Sequence, residues 1–470
     1  MTSSGRVRST LLSVRSFVVR DVIRRLVALI ALAFAVAPLI TTHLYPLEDQ
    51  AFPDSPVYAD TAFEIANGNG FETRIDEAVP PHEQRLDSEL RPSRYPPGFS
   101  LALAPFVRFG SNSVTDAQEG GRVLVILLVI TLFTVAWVLG GPLAAAIAAL
   151  ITMVSPFMER SAQLLMSDAF GALLSMLMLL AVTLALKQPR AAPSPASGAP
   201  ERAHDVRGVV QSGLLVLAGA LAGYGVLTRF SAISSLVAVL VCLRRWRNLR
   251  LLLVGAIPVL IFLATYQWTE FGSPLRTGYD YYFPGLKLFG WSHVTQTSAP
   301  GERVYIFNDR LQGAWMRWTC PCDALGPMGK ANNLVFYPAV LLGLYWIYFP
   351  PLFTVFGVWE IWRRRRDAAT RLAAAIIVLN VAIFVGYYTQ AGRFVAPAAY
   401  ALLAYSAAGV ARIVEGVSSW LRGLIRKGRG GDAGTQVGGE SIDDGHQRPA
   451  DLNDASINSS SHTTPLAAST

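Results

Sequence analysis

Apolar residues arrive along this chain in long blocks, not in the alternation of a half-buried strand or the sparse stripe of a soluble helix. Ten blocks reach or approach the ~17–25 residues that cross a bilayer as a helix. They are Leu26–Thr42, Arg122–Leu139, Pro142–Met158, Met166–Leu186, Val209–Thr228, Ser231–Leu243, Leu249–Gln267, Leu334–Trp359, Leu372–Tyr388 and Phe394–Val414. The sixth is short. The eighth contains Pro350-Pro351, so it reads either as one kinked span or as two elements. The pattern predicts an all-α polytopic membrane protein of about ten spans, residues 26–415. Residues 1–25 form a basic N-terminus, and a Gly/Ser/Asp/Asn-rich tail, 428–470, reads as disordered.

Composition agrees with the blocks. Of 470 residues 52% are hydrophobic and 15% charged, against roughly 25% charged in an average soluble domain. That excludes a coiled coil, a disordered chain and most soluble enzymes. The net charge of +8 raises the prospect of nucleic acid, but the positions of the charges answer it. Met1–Arg25, Lys187–Arg207, Arg244–Arg250, Arg363–Arg371 and the tail from Arg412 hold 25 of the 40 lysines and arginines. All five lie on one side of the ten-span map, which the positive-inside rule makes cytoplasmic. Both termini are then cytoplasmic and no nucleic-acid partner is implied. No small-x-small cleavage site follows Leu26–Thr42, so the first span is read as uncleaved. Within the cytoplasmic linker 187–207, Arg190–Pro200 is rich in Ala, Pro and Ser and reads as a flexible loop. Cys242 falls in a span and reads as core. A disulfide between Cys320 and Cys322 would be strained, so both read as unpaired thiols.

Two long loops, His43–Gly121 and Trp268–Asn333, fall outside. In the first, Ser55 is a candidate N-cap, Pro56 suits the first helical turn and Gly68 suits the stop. Tyr58, Ala62, Ile65 and Ala66 share one face of this short helix. Asp60, Glu64 and Asn67 share the other, which reads as solvated. Asp54 stands immediately before the helix, where the positive end of the dipole favours a charged carboxylate. That suits a general base, and the plainer reading is that Asp54 helps cap the helix. Farther on, Arg94-Tyr-Pro-Pro-Gly-Phe starts a second helix too short to span, lying in the interface.

These motifs resemble the GT-C glycosyltransferases, nearest to the dolichyl-phosphate-mannose–protein mannosyltransferases and the bacterial lipid A aminoarabinose transferases. The resemblance rests on Asp54-x3-Tyr58-x3-Ala62-x5-Gly68-x-Gly70 after the first span, then Tyr95-Pro-Pro-Gly98. It continues in Met166-Ser-Asp168, Leu227-Thr-Arg229, Phe271-Gly-Ser-Pro-Leu-Arg-Thr-Gly-Tyr279 and Gly392-Arg393-Phe-Val-Ala-Pro397, and covers about Leu26–Val414. Two departures stand out: Ser55 replaces the second acid of an Asp-Glu pair, and Asp168 stands where Glu is commoner.

The resemblance implies a sugar donor carried on polyprenyl phosphate and a lipid, glycan or protein acceptor, joined at the external face with inversion. Asp54 would be the general base and Asp168 would orient the acceptor or assist Asp54. Arg229 and Arg393 would hold the donor phosphate, and Tyr58, Tyr95 and Tyr279 would line the pocket. Each has a plainer reading: interfacial anchors for the arginines, a helix cap paired with Arg160 for Asp168, and packing for the tyrosines. No cofactor is implied. A divalent metal is compatible with the chemistry, but no His/Asp cluster has ligand spacing, so none is assigned. The competing functions are a transporter or lipid flippase, a lipid-linked glycan polymerase or ligase, and a non-catalytic scaffold. A transporter would place polar residues in broken helices near the midplane. Here the five motif residues Asp54, Asp168, Arg229, Tyr279 and Arg393 all map to the outer ends of spans.

Overall fold

The structure, a computed structural model, describes residues 3–44, 54–75, 86–187, 202–243, 245–285, 289–290, 333–387 and 391–430. Residues Met1–Gly416 form one compact unit and Val417–Thr470 a second. The helices are α1 (Ser3–Thr41), α2 (Asp54–Asn67), α3 (Gly98–Phe109), α4 (Val114–Met153), α5 (Pro156–Gln163), α6 (Ser167–Lys187), α7 (Arg202–Thr228), α8 (Ile233–Cys242), α9 (Trp246–Phe271), α10 (Gly278–Tyr282), α11 (Asn333–Leu341), α12 (Thr354–Arg363), α13 (Ala368–Val385) and α14 (Ala396–Gly430). Among the described residues an antiparallel strand pair, β1 (Glu72–Ile75) and β2 (Leu86–Pro92), interrupts them. The sequence pattern did not predict it.

Seven helices among the described residues are long and apolar enough to cross a membrane. They carry eight of the ten expected spans, because α4 holds two. At 1.5 Å per residue its 40 residues would run ~60 Å, twice a hydrocarbon core. Gly141 breaks it at φ +79°, and Pro142 starts the return. A side chain at Gly141 would be strained, and Pro142 at a first turn loses no helical hydrogen bond. Lys187, ending α6, donates to the carbonyl of Val138 at this break.

The other two expected spans differ. Ser231–Leu243 is a turn of 3₁₀ helix and then α8, together too short to cross unaided. Leu334–Trp359 is not continuous. It comprises α11, an irregular stretch and α12. Hydropathy could not separate the parts, because the irregular stretch is as apolar as the helices. Its backbone turns at Gly343, Trp346 and Leu352, all with positive φ. Tyr345, Tyr348 and Phe349 in it are almost fully buried.

The core sits on α6 and the first half of α14. From Ala396 to Ala408 α14 is buried on all sides and rich in alanine, as a helix enclosed by others must be. α7 and α9 cross where Gly219 faces Leu252 and Gly255 faces Val216. A Cβ on either glycine would overlap the opposite backbone, so small residues set the approach. Among the described side chains of α1 the buried ones are the Ala28, Ala31, Ala35 and Leu39 stripe; Leu26, Val27, Leu29 and Phe34 are exposed, as lipid-facing residues would be. Cys242 is half-buried rather than core; Cys320, Cys322 and the 428–470 tail from residue 431 lie outside the described residues.

The bundle has two chemically different ends. One gathers the starts of α2 and α6, the end of α7 and the start of α14. The other carries Lys187, Arg363–Arg366 and Arg412.

Candidate active site

α2 starts at Asp54, so Asp54 lies in its first turn rather than before it, and α2 stops at Gly68 with φ +87°. Ser55 does not act as the expected cap. Its hydroxyl donates to the carbonyl of Leu165 at 2.8 Å, tying α2 to the start of α6. Ser100 on α3 donates to the carbonyl of Tyr58 at 3.1 Å. α2 is thus held at its first turn and its middle, with Asp54 and Tyr58 one turn apart on the same face.

On the expected solvated face of α2 Asn67 is exposed, but Asp60 and Glu64 are not solvated. Asp60 is 5% exposed and Glu64 wholly buried. Strand β1 covers them. Thr73 Oγ1 donates to Asp60 at 2.8 Å, and the Arg74 backbone N–H at 2.6 Å. Arg74 Nε donates to Glu64 at 2.6 Å, and Asn69 Nδ2 also at 2.6 Å. Burial raises the pKa of Asp60, against its hydrogen bonds from Arg74 and Thr73. A helical wheel shows that these residues share a face but not that a distant strand lies on it.

Asp168 stands in the first turn of α6 and is 2% exposed. Arg229 follows the last residue of α7, and its Nη1 meets Asp168 Oδ1 at 2.6 Å. Arg160, the partner considered from sequence, donates to Gln163 instead. Arg393 lies in the 3₁₀ turn Gly392–Val395 before α14. Its Nη1 stands 3.3 Å from Asp54 Oδ2 and 3.5 Å from Asp168 Oδ2, bridging the two acids. Arg229 Nη1 also donates to Ser167 Oγ at 3.0 Å, and that hydroxyl lies 3.0 Å from Tyr58 Oη. Asp54, Arg393, Asp168, Arg229, Ser167 and Tyr58 therefore form a continuous chain of side-chain contacts that begins and ends on α2 and runs through α6, the end of α7 and the approach to α14. Phe394 carries both guanidinium groups, 5.4 and 5.5 Å from its ring centre.

The irregular stretch within Leu334–Trp359 fixes Arg393. Tyr348 Oη donates to the Gly392 carbonyl at 2.8 Å. Ile347 packs where a Cβ on Gly392 would stand. Asn333 donates to carbonyls of Val385 and Tyr387 at 3.1 and 2.8 Å, closing the end of α13.

This chain of contacts borders a cavity of about 380 Å³. Asp54, Tyr58, Tyr95, Arg229, Tyr279 and Arg393 line it, with an aromatic wall of Phe283, Phe289, Phe384, Tyr387 and Phe394. Six of the seven sequence-derived candidates thus face one space. Asp168 is the seventh and lies behind the two arginines. The Oδ1 atom of Asp54 is buried and has no hydrogen-bond partner among the described residues. Tyr58 and Tyr95 are 4.8 Å apart, Tyr95 and Tyr279 5.8 Å, ring centre to ring centre. Burial and then the Asp54 charge push the Tyr58 phenol well up. Burial does the same to Tyr279. Both therefore stay neutral, able to donate.

Arg94 was not singled out from the sequence, although it opens the Arg94-Tyr-Pro-Pro-Gly motif. It lines the cavity, donates to Tyr95 Oη at 2.6 Å and lies over the Tyr95 and Phe283 rings. A Cβ on Gly278 would meet the Arg94 backbone, so that glycine lets α10 close the cavity. The signal available was a cation outside the cytoplasmic set.

No protein-family model and no curated protein matches the sequence. Solved structures do match. ArnT from Cupriavidus metallidurans bound to undecaprenyl phosphate is 16% identical, with a TM-score of 0.49 over 82% of this chain and 59% of that one. The same enzyme in its apo state gives 16% and 0.49 over 88% and 62%. The Archaeoglobus fulgidus oligosaccharyltransferase tethered to an acceptor peptide is 14% identical, with a TM-score of 0.50 over 84% of this chain and 50% of that one. The chain spans at most about three fifths of these proteins' lengths. The likeness is one of architecture: this is a multi-pass membrane protein with the GT-C fold.

Proposed function

We propose that the chain is a membrane glycosyltransferase that moves a sugar from a polyprenyl-phosphate donor to an acceptor hydroxyl at the external face, with inversion. The observation that carries this reading is the pairing, in one cavity, of a buried carboxylate oxygen that has no hydrogen-bond partner among the described residues with a set of guanidinium groups. Asp54 Oδ1 accepts the proton of the acceptor hydroxyl as its oxygen bonds to the anomeric carbon. The bond from that carbon to the phosphate oxygen breaks, and the phosphate leaves with the electron pair.

A leaving phosphate needs positive charge close to where its own charge develops. Arg229 and Arg393 face the cavity, and Arg94 adds a third guanidinium to the same wall. Charge-assisted bonds from these cations strengthen as charge builds on the leaving group. Asp168, behind the arginines, aims them rather than touching the acceptor. The aromatic wall provides apolar surface for a prenyl chain or a sugar face. The acceptor is a lipid, glycan or protein.

The test is Asp54→Asn in membranes supplied with a radiolabelled polyprenyl-phosphate sugar. A general base contributes roughly a hundredfold or more, so label transfer should fall by at least that factor with the protein still folded. Turnover at the parent rate would remove Asp54 from the chemistry.

A further inference from the structure

At the opposite end of the bundle, Glu360 on α12 is wholly buried. It accepts from Arg363 through Nε and Nη2, both at 2.9 Å, and from Arg364. Arg412 on α14 adds a third guanidinium at 3.3 Å. A topology signal needs only charge near a span end. It does not need a buried carboxylate, which is costly unless well paired. Glu360 does something more specific: it gathers arginines from two helices and fixes their directions.

One carboxylate against three guanidinium groups leaves an excess. Arg365 and Arg366 add to it, and Asp367 offsets one charge. Together these arginines line a cleft of about 620 Å³ with Asp367 the sole acid in its wall. With Glu360 and Asp367 set against five guanidinium groups, the cleft carries a net positive charge of about three that no other acid among its described walls offsets. Beside it α12 exposes Val355, Val358, Trp359 and Trp362, and Arg365 stacks on Trp362, 4.7 Å from its ring centre. Tryptophan beside arginine is the signature of headgroup depth. The cleft thus opens next to a strip of apolar surface that acyl chains can cover.

We propose that this cleft is a binding site for the phosphate headgroup of an anionic membrane phospholipid, with Glu360 as the residue that pre-sets its arginines. The proposal does not depend on the glycosyl-transfer reading, since the cleft lies at the other end of the bundle.

The full chain, delipidated in a neutral detergent, is titrated with phosphatidylglycerol or phosphatidylcholine, and bound lipid is counted by native mass spectrometry. Phosphatidylglycerol should bind and phosphatidylcholine should not. Arg365 and Arg366 make no bond to Glu360, so R365A/R366A should fold normally. Each headgroup-level arginine is worth about fivefold, so this variant should bind phosphatidylglycerol roughly 25-fold more weakly. R365K/R366K should keep most of the binding. Arg247→Ala, an exposed cation in a different run, should change nothing. Equal binding of the two lipids, an unchanged R365A/R366A, or an equal loss in Arg247→Ala would each overturn the site. Displacement of phosphatidylglycerol by inorganic phosphate at equal concentration would overturn the lipid assignment, leaving a free-anion site.

Discussion

Among single residues, the two arginines that face Asp54 and Asp168 are not equivalent. Arg229 holds Asp168 at 2.6 Å, whereas Arg393 is shared at longer distance between Asp54 and Asp168. Removing Arg229 leaves a buried carboxylate with only that longer contact, and breaking a buried pair costs about 3–5 kcal/mol. Arg229→Ala should therefore lose thermal stability before any kinetic effect can be read. Arg393→Ala leaves Asp168 paired but removes the 3.3 Å contact of the buried Asp54; that contact is longer than the 2.6 Å pair, so the variant should lose less thermal stability than Arg229→Ala. Its donor KM should rise about tenfold or more, the worth of a charge-assisted bond, with acceptor KM little changed. Thermal unfolding and steady-state kinetics separate the two, and equal effects on donor and acceptor would count against a phosphate role for Arg393. That these residues meet was legible in the sequence, because each sits at a span end and the span map puts all the ends on one side. The partnerships were not. Ser55 reaches the Leu165 carbonyl and Asp168 takes Arg229 instead of Arg160, choices made by helix packing rather than by neighbours in the chain.

The elements that departed most from expectation are α2 and the eighth span. α2 was legible in extent, since Gly68 stops it where its backbone conformation requires. Its polar face was misjudged because the covering strand lies beyond the helix and carries too weak a pattern of its own. The consequence is measurable. Burial raises the pKa of Asp60 above its unfolded value. Between the two values the folded state binds more protons than the unfolded state, so stability is greatest at low pH and falls as pH rises through the raised value. Asparagine has no such titration, yet its oxygen can still accept from Thr73 and the Arg74 backbone. Asp60→Asn should therefore match the parent near pH ~4 and become more stable relative to it as pH rises, then level off. Thermal midpoints of the two proteins across that range decide it. A constant difference would mean that the hydrogen bonds fully offset the burial. The eighth span failed for another reason. Its irregular middle is apolar and enclosed, and such backbone is permitted at membrane depth only where protein covers it. That enclosure is what lets Tyr348 fix Gly392 and so aim Arg393.

The whole molecule is polar in the sense of having unlike ends. The candidate site, with its acids, arginines and tyrosines, occupies one end of the helices. Lys187, Arg363–Arg366 and Arg412 occupy the other, where Glu360 is their buried partner. Fold and charge together then set an orientation. Cytoplasmic segments are enriched in lysine and arginine near span ends, so the arginine end should face the cytoplasm and the cavity the external side. That side is also where a polyprenyl-phosphate sugar that has crossed the membrane would be found. The expectation can be tested in intact cells after the three native cysteines are replaced by serine. Ser111→Cys lies in the exposed turn between α3 and α4, at the cavity end. Ser197→Cys lies between α6 and α7, whose facing ends belong to the arginine end. A membrane-impermeant maleimide should label Ser111→Cys directly and Ser197→Cys only after lysis. The reverse pattern would turn the molecule over and place the chemistry in the cytoplasm, where nucleotide sugars rather than lipid-linked ones would be the accessible donors.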